Sequence, residues 1–361
     1  MAEKRPTPLT IYFYHTRLTR ESYEEWKQFR FPGHILYGLP LLEKYGIRSV
    51  MHPYKAFASR WKLMLYTTRK ILCCREKYDV LYGTSFRGLE LIVFLRALGL
   101  YRKPVVIWHH SAVSRASNRF REAVSRFFYR GFDQMFLFSR KLIQDSIASR
   151  KVPESKLQLI HWGPDLAFYD HLLGELPVSL PRHGFISTGK ERRDVKTMLE
   201  AFARTNEELE VYIAEESNGI SYRRIADSLC LPQNIRIHYT EGVIPYVLAR
   251  KVAEARFIVI CCLDYPYTVG LTTLVEAFAL GMPVICTRNP YFEMDIDKEE
   301  IGITVPYGDT EGWVNAIRYL IAHPEEAERM GRNARRLAEE RFNLEIFSGE
   351  IANTLLKFRS E

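Results

Sequence analysis

One stretch of this chain constrains its fold more than any other: Gly270-Leu-Thr-Thr-Leu-Val-Glu-Ala-Phe-Ala-Leu-Gly-Met-Pro-Val-Ile-Cys-Thr287. It reads as a turn, a short helix, a glycine stop and a buried strand. The apolar run Phe257-Ile-Val-Ile-Cys-Cys262 feeds it, so the helix starts at the carboxyl end of a parallel strand. Open α/β sheets bind ligands at that end, and a helix N-terminus attracts anions. The helix carries three polar side chains, Thr272, Thr273 and Glu276, and Glu276 follows the two threonines by four and three residues, which places them on one stripe. Side chains lean toward a helix N-terminus, so Glu276 is expected to hang back over Thr272, near the first-turn N–H groups. Amides for a phosphate and a carboxylate for ribose hydroxyls suit a nucleotide. A solvated glutamate on a surface helix is the alternative.

Strand-like runs alternate with helix-length segments throughout, the signature of parallel βαβ units. Candidate strands in the first half are 10–14, 80–83, 105–108, 134–138 and 157–161. In the second half they are 184–187, 210–214, 235–239, 257–262, 284–287 and 303–305. The segment 174–184 is rich in helix breakers and reads as a linker. These features predict an N-terminal α/β domain over 1–175 and a second over 176–343.

The longest apolar run, 89–100, is too short to cross a membrane and carries Glu90 and Arg96. The N-terminus has no secretory signal pattern. Six cysteines show no Cys-x-x-Cys spacing, and Cys261, Cys262 and Cys286 lie in apolar strands, which fits free thiols in a reducing cytosol. Residues 1–175 hold 29 Lys/Arg against 15 Asp/Glu, and residues 176–361 hold 22 against 28. A basic first half implies a polyanion or an anionic membrane surface as its partner. Two stretches there, 59–72 and 114–130, mix cations with aromatics and read either as interfacial helices or as helices with a buried aromatic face. No nucleic-acid-binding module accompanies them.

The first strand of the second domain runs into Ser187-Thr-Gly-Lys-Glu-Arg-Arg-Asp-Val195. This places Gly189 in a tight turn and Lys190, Arg192 and Arg193 at a strand's carboxyl end. Fixed cations there would stabilise the charge that builds on a leaving diphosphate. His109 and His110 follow the strand 104–108; metal binding is the alternative for this pair, with no carboxylate or third histidine near in sequence. Asp295-Ile-Asp297 reads as a loop after the strand 284–287 rather than a metal site.

The segment 275–285 resembles the helix signature of family 4 glycosyltransferases, Glu-Ala-x-Ala-x-Gly-x-Pro-Val-Ile, and the resemblance continues through 302–309 and 330–334. Ile160-His-Trp-Gly-Pro-Asp165 resembles that family's signature at the end of its first domain. The resemblance implies the GT-B fold, α/β with two facing Rossmann-like domains built on parallel sheets, whose last helix (about 344–361) returns to the first domain. It implies that Lys190 and Arg193 hold the donor diphosphate, that His109 faces the donor sugar or its phosphate, and that Glu276 holds ribose. The donor loops would further include Gly33, Gly189, Val243, Thr268, Gly270, Leu271 and Thr272. One position departs: the earlier of the family's two glutamates falls on Thr268, which leaves its donor-sugar contacts open.

The expectation is a retaining, metal-independent glycosyltransferase, cytoplasmic and peripheral on the inner face of the membrane. It would use a UDP- or GDP-type sugar as co-substrate, need no cofactor, and act on a lipid-linked or cell-surface saccharide acceptor held by the basic first domain. No nucleic acid is expected as a partner. A nucleotide-sugar epimerase of the same fold and a non-catalytic binding protein are the alternatives.

Overall fold

The computed structural model describes residues 8–177, 182–240 and 245–359. The chain divides into two compact units: Met1–Trp162 with Leu344–Glu361, and Gly163–Asn343.

The first unit runs β1 (Leu9–Tyr14), α1 (Thr19–Lys27), β2 (Ile47–Met51), α2 (Arg60–Leu72), β3 (Val80–Gly83), α3 (Glu90–Ala97), β4 (Val105–Trp108), α4 (Arg119–Arg130), β5 (Gln134–Leu137), α5 (Arg140–Ala148) and β6 (Leu157–Leu159). Its sheet has the order β2-β1-β3-β4-β5-β6, every pair parallel. Strands β3 and β4 are buried along their whole length, which is why they read as continuous apolar runs. Strand β2, Ile-Arg-Ser-Val-Met, has no such run: it lies at the sheet edge, with Arg48 exposed and three residues half-buried.

The second unit runs α6 (Leu166–Glu175), β7 (His183–Gly189), α7 (Val195–Phe202), β8 (Leu209–Ile213), the hairpin β9 (Glu216–Ser217) and β10 (Ile220–Ser221), and α8 (Tyr222–Asp227). It continues with β11 (Ile235–Tyr239), α9 (Pro245–Glu254), β12 (Ala255–Ile260), α10 (Leu271–Leu280), β13 (Val284–Thr287), β14 (Gly302–Val305), α11 (Thr310–Ala322) and α12 (Pro324–Glu340). Its six-stranded sheet has the order β11-β8-β7-β12-β13-β14 and is also wholly parallel. Phe185, Phe202, Val259, Trp313 and Ile317 lie in one buried cluster between the sheet and its helices. Truncating a buried phenylalanine in such a core to alanine costs about 3–5 kcal/mol.

The division falls at Trp162 rather than at the expected 175. Helix α6 belongs to the second unit because its side chains are committed there: Tyr169 bonds to Glu276, and Asp170 takes a two-pronged ion pair from Arg335. Part of the expected linker, 178–181, lies outside the described residues. The last helix, α13 (Leu344–Leu356), packs in the first unit against a 3-10 segment, Leu39–Tyr45. Glu350 pins it by accepting from the main-chain N–H of His161 at 2.8 Å and from its Nδ1 at 2.6 Å.

Candidate functional site

In the second sheet the chain goes from β7 out to one edge through β8 and β11, then returns to the other side of β7 with β12. The direction of winding reverses between β7 and β12, and such a switch point opens a crevice outside the carboxyl ends of the two strands. The two loops that leave these ends are Gly189–Asp194 and Cys261–Gly270. They are stitched together: Arg193 and Cys262 form an antiparallel bridge, Leu263 N donates to Arg192 O at 2.9 Å, and Asp194 N donates to Cys261 O at 3.0 Å.

Arg193 is 6% exposed. Its Nε and Nη2 donate to the main-chain oxygen of Thr188 at 3.2 and 2.9 Å, Nη2 donates also to the Thr273 hydroxyl at 3.2 Å, and Nη1 donates to Cys262 Sγ at 3.4 Å. All of these partners are neutral. The neighbouring carboxylates are engaged otherwise: Asp194 caps α7 through Thr197, and Glu191 accepts from the Tyr267 hydroxyl at 3.3 Å. A buried cation surrounded by neutral dipoles is costly, and an anion brought beside it recovers that cost. Gly189 permits the arrangement, since a Cβ there would fall 2.3 Å from Arg193 Nε.

Helix α10 begins beside this guanidinium. Gly270 occupies its N-cap position at φ +91°, and no side chain caps the helix. Only glycine fits: a Cβ would meet Ile260 Cγ2 at 2.4 Å, and the left-handed φ adds strain for any L side chain. The uncapped first turn leaves N–H groups for an external acceptor, where the helix dipole favours negative charge. Asn289 clamps the incoming turn by donating to the main-chain oxygens of Tyr267 and Val269 at 3.1 and 3.3 Å.

The polar stripe of α10 divides its labour. Thr273 is buried and bonds to Arg193 and Thr188, while Thr272 is exposed. Glu276 does not hang free over Thr272: it accepts from the Tyr169 hydroxyl of α6 at 3.3 Å. Its dense surroundings push the carboxyl up to about 7, against a smaller downward pull from the Tyr169 hydrogen bond. Lys190 is exposed beside Gly189, and Leu271 and Thr268 are buried, the oxygen of Thr268 accepting from Leu271 N. Val243 lies outside the described residues. Asp295 and Asp297 do turn work: the first accepts from Lys298 N at 3.2 Å, the second from Thr304 N at 2.9 Å.

Sequence reasoning placed Gly189, Lys190, Arg193, Gly270 and Glu276 at this switch point, and the structure brings their elements together. It missed Tyr169 and Thr188. A tyrosine in a helix and a carbonyl acceptor at a strand end carry no sequence signal of their own.

The first unit has its own switch point between β1 and β3. There His15 Nδ1 bonds to the Thr84 hydroxyl at 3.1 Å and His15 Nε2 to Ile35 O at 3.2 Å. Ile35 lies in the 3-10 turn Gly33–Leu36, so the Gly33 loop reaches this point even though α1 intervenes after β1. His109 departs from expectation. It is 3% exposed, its Nδ1 is bonded to Ser111 O, its Nε2 is bonded to the Tyr129 hydroxyl at 3.0 Å, and its ring stacks on Phe86. Burial lowers it to about 4, so the ring is neutral, with both nitrogens committed inside its own unit. The exposed member of the pair is His110, which also bonds to Thr84 O at 2.8 Å.

Residues 181–337 match the family described as glycosyl transferases group 1. Over 70 residues the chain is 37% identical to a D-inositol 3-phosphate glycosyltransferase of Saccharomonospora viridis, a match spanning 19% of this chain and 16% of that relative's length. A glycosyltransferase structure from Rickettsia africae superposes with a TM-score of 0.68 at 16% identity, covering 97% of this chain and 99% of its own. Anabaena Alr3699/HepE, in complex with UDP and glucose, superposes at 0.66 with 14% identity, covering 97% and 100%. At these identities the structural likeness concerns the fold, two parallel α/β units of the GT-B type. The match to the group 1 glycosyltransferase family lies wholly within the second unit.

Proposed function

We propose that this protein transfers a glycosyl group from a nucleoside diphosphate sugar to a saccharide acceptor, lipid-linked or destined for the cell surface. The observation that carries the reading is Arg193, a buried guanidinium with only neutral partners, set at the uncapped start of α10. A diphosphate bridging the guanidinium and the α10 amides would satisfy both. Glu276 then accepts from the ribose hydroxyls, and exposed Lys190 adds a second cation on the outer side.

In the proposed reaction the acceptor oxygen bonds to the anomeric carbon as the bond from that carbon to the diphosphate oxygen breaks. The bonding pair leaves with the diphosphate, and the acceptor proton passes to a phosphate oxygen. Attack from the leaving-group face retains the anomeric configuration. Arg193 and the helix start oppose the charge that develops on the leaving group, the role a divalent cation plays elsewhere, so the reaction is proposed to need no metal. UDP sugars are the first donors to test, since the HepE structure holds UDP.

The experiment is a thermal-shift screen of nucleoside diphosphates and their sugars, followed by an assay of nucleotide release. A raised melting temperature with nucleotide release supports a transferase. Tight binding without turnover across donors and acceptors would leave a binding protein instead, and absence of any shift would defeat the site.

A further inference from the structure

Helices α2, α3 and α4 form one layer on one face of the first sheet: each crosses in the same direction along it, and α3 packs between the other two. The outer side of this layer is apolar at its most exposed points. Trp61 is 73% exposed, and Leu65 and Leu72 continue its stripe along α2 at the +4 and +11 positions. Leu100, just beyond α3, is 71% exposed, and Phe120 at the start of α4 is 77% exposed. Helix α4 has no fully buried residue: Phe127 and Phe128 contact Phe94 of α3, Tyr129 reaches His109, and Arg119, Phe120, Arg121, Ala123, Val124, Arg126 and Arg130 are exposed.

The same layer is strongly cationic. Its three helices contain nine Lys/Arg against two Asp/Glu. Both acids are already paired, Glu90 with Arg60, and Glu122 with Arg126 and Lys151. Large side chains left in water beside so many uncompensated cations mark a surface that something covers. A second copy would bring like charge against like. A nucleic acid would use the aromatic rings but gain little from Leu65, Leu72 and Leu100, which offer no face on which bases stack. An anionic bilayer satisfies both halves, phosphates for the cations and acyl chains for the leucines.

We infer that the layer of α2, the end of α3 and α4 is a docking surface for an anionic lipid bilayer. Trp61, Leu65, Leu100 and Phe120 enter the interface, and Lys62, Arg69, Arg119 and Arg121 meet the head groups. The surface belongs to the first unit alone, so the inference goes beyond the proposed donor chemistry and does not depend on it.

The test is co-sedimentation of the full chain with vesicles of phosphatidylcholine alone and of phosphatidylcholine with phosphatidylglycerol. The protein should partition at least about tenfold more strongly onto the anionic vesicles, and added salt should release it. Trp61→Ser with Phe120→Ser should lower partitioning at least about fivefold while leaving the melting temperature near that of the wild type. Arg119→Glu with Arg121→Glu should lower it on anionic vesicles by a similar factor. Equal retention by both vesicle types, retention by neither, a wild-type level of partitioning in both variants, or a stable dimer dissolved by Trp61→Ser would each overturn the inference. Nucleotide-sugar binding, measured without vesicles, should be unchanged in all variants. If it is absent from the wild type while vesicle binding persists, the transferase reading fails and the docking surface stands.

Discussion

The Arg193 guanidinium donates to the Thr273 hydroxyl at 3.2 Å, tying the loop after β7 to the first turn of α10. Two elements 80 residues apart in sequence thus present one cation and one helix start to the same space. The bond orients a group whose hydrogen-bond partners among the described residues are all neutral, so removing its charge should separate binding from folding. Arg193→Met keeps much of the apolar volume and deletes the buried cation. The variant should melt within a few degrees of the wild type, because the lost hydrogen bonds are offset by the removed desolvation penalty. Its affinity for a nucleoside diphosphate should fall by about 2–3 kcal/mol, or roughly thirty- to two-hundredfold, the worth of a charge-assisted hydrogen bond in a dry site. Isothermal titration beside a melting curve reads both quantities, and a wild-type affinity would remove Arg193 from the site.

Glu276 supports a prediction with opposite signs for stability and function. Its folded carboxyl sits at about 7, above its ordinary 4.5, chiefly through burial. The folded state therefore holds a proton that the unfolded chain releases, and stability falls as pH rises from about 4.5 to 7. Glu276→Gln removes that penalty. At pH 8 the variant should be more stable by about 1–3 kcal/mol, with the difference vanishing toward pH 4.5. Ribose hydroxyls donate to the ionised carboxylate, so wild-type affinity for a nucleotide sugar should rise with pH up to about 7 and then level off. The variant should bind weakly with no such pH profile. Melting and titration across this range check both, and a pH-independent wild-type affinity would deny Glu276 the ribose.

The contrast between Glu276 and His109 shows what the sequence could and could not carry. The second sheet was legible because β12 and β13 carry the apolar runs Phe257–Ile260 and Val284–Cys286, and β12 followed by Gly270 marks a strand, a turn and a helix start in order. The switch point follows from that succession. Strand β2 escaped notice because an edge strand with one exposed arginine has no apolar period. The side-chain partners were not legible either: Tyr169 reaches Glu276 across 107 residues, and Tyr129 reaches His109 from a helix whose sequence stands out only for its basic and aromatic residues. Position after a strand brought His109 to the right end of its sheet. Which way the ring points was decided by Ser111 of its own loop together with Phe86 and Tyr129, which another loop and α4 supply.

His109 accordingly yields a prediction at odds with its expected role. One of its bonds joins the loop after β4 to α4 and the other closes that loop on Ser111, and the ring is already neutral. His109→Phe would leave the Tyr129 hydroxyl and the Ser111 carbonyl without their partner. The cost should be about 2–4 kcal/mol of stability, seen as a lowered melting temperature. Affinity for a nucleoside diphosphate, measured well below that temperature, should match the wild type. A large affinity loss with unchanged melting would return His109 to the donor site.

Gly270 tests whether the helix start itself must be where it is. At φ +91° an added Cβ is strained, and its contact with Ile260 Cγ2 at 2.4 Å presses on a strand residue that is 1% exposed. Neither neighbour can give cheaply, since Ile260 ends β12 in the middle of the sheet. Gly270→Ala should therefore cost about 2–4 kcal/mol, combining backbone strain with overpacking. The surviving folded fraction should also bind nucleotide poorly, because relief of the clash moves the first turn of α10 away from Arg193. Denaturant melts give the first number, and titration at low temperature, where the variant is folded, gives the second. A variant that is destabilised yet binds as tightly as the wild type would show that the α10 amides do not hold the diphosphate, leaving the anion to Arg193 and Lys190 alone.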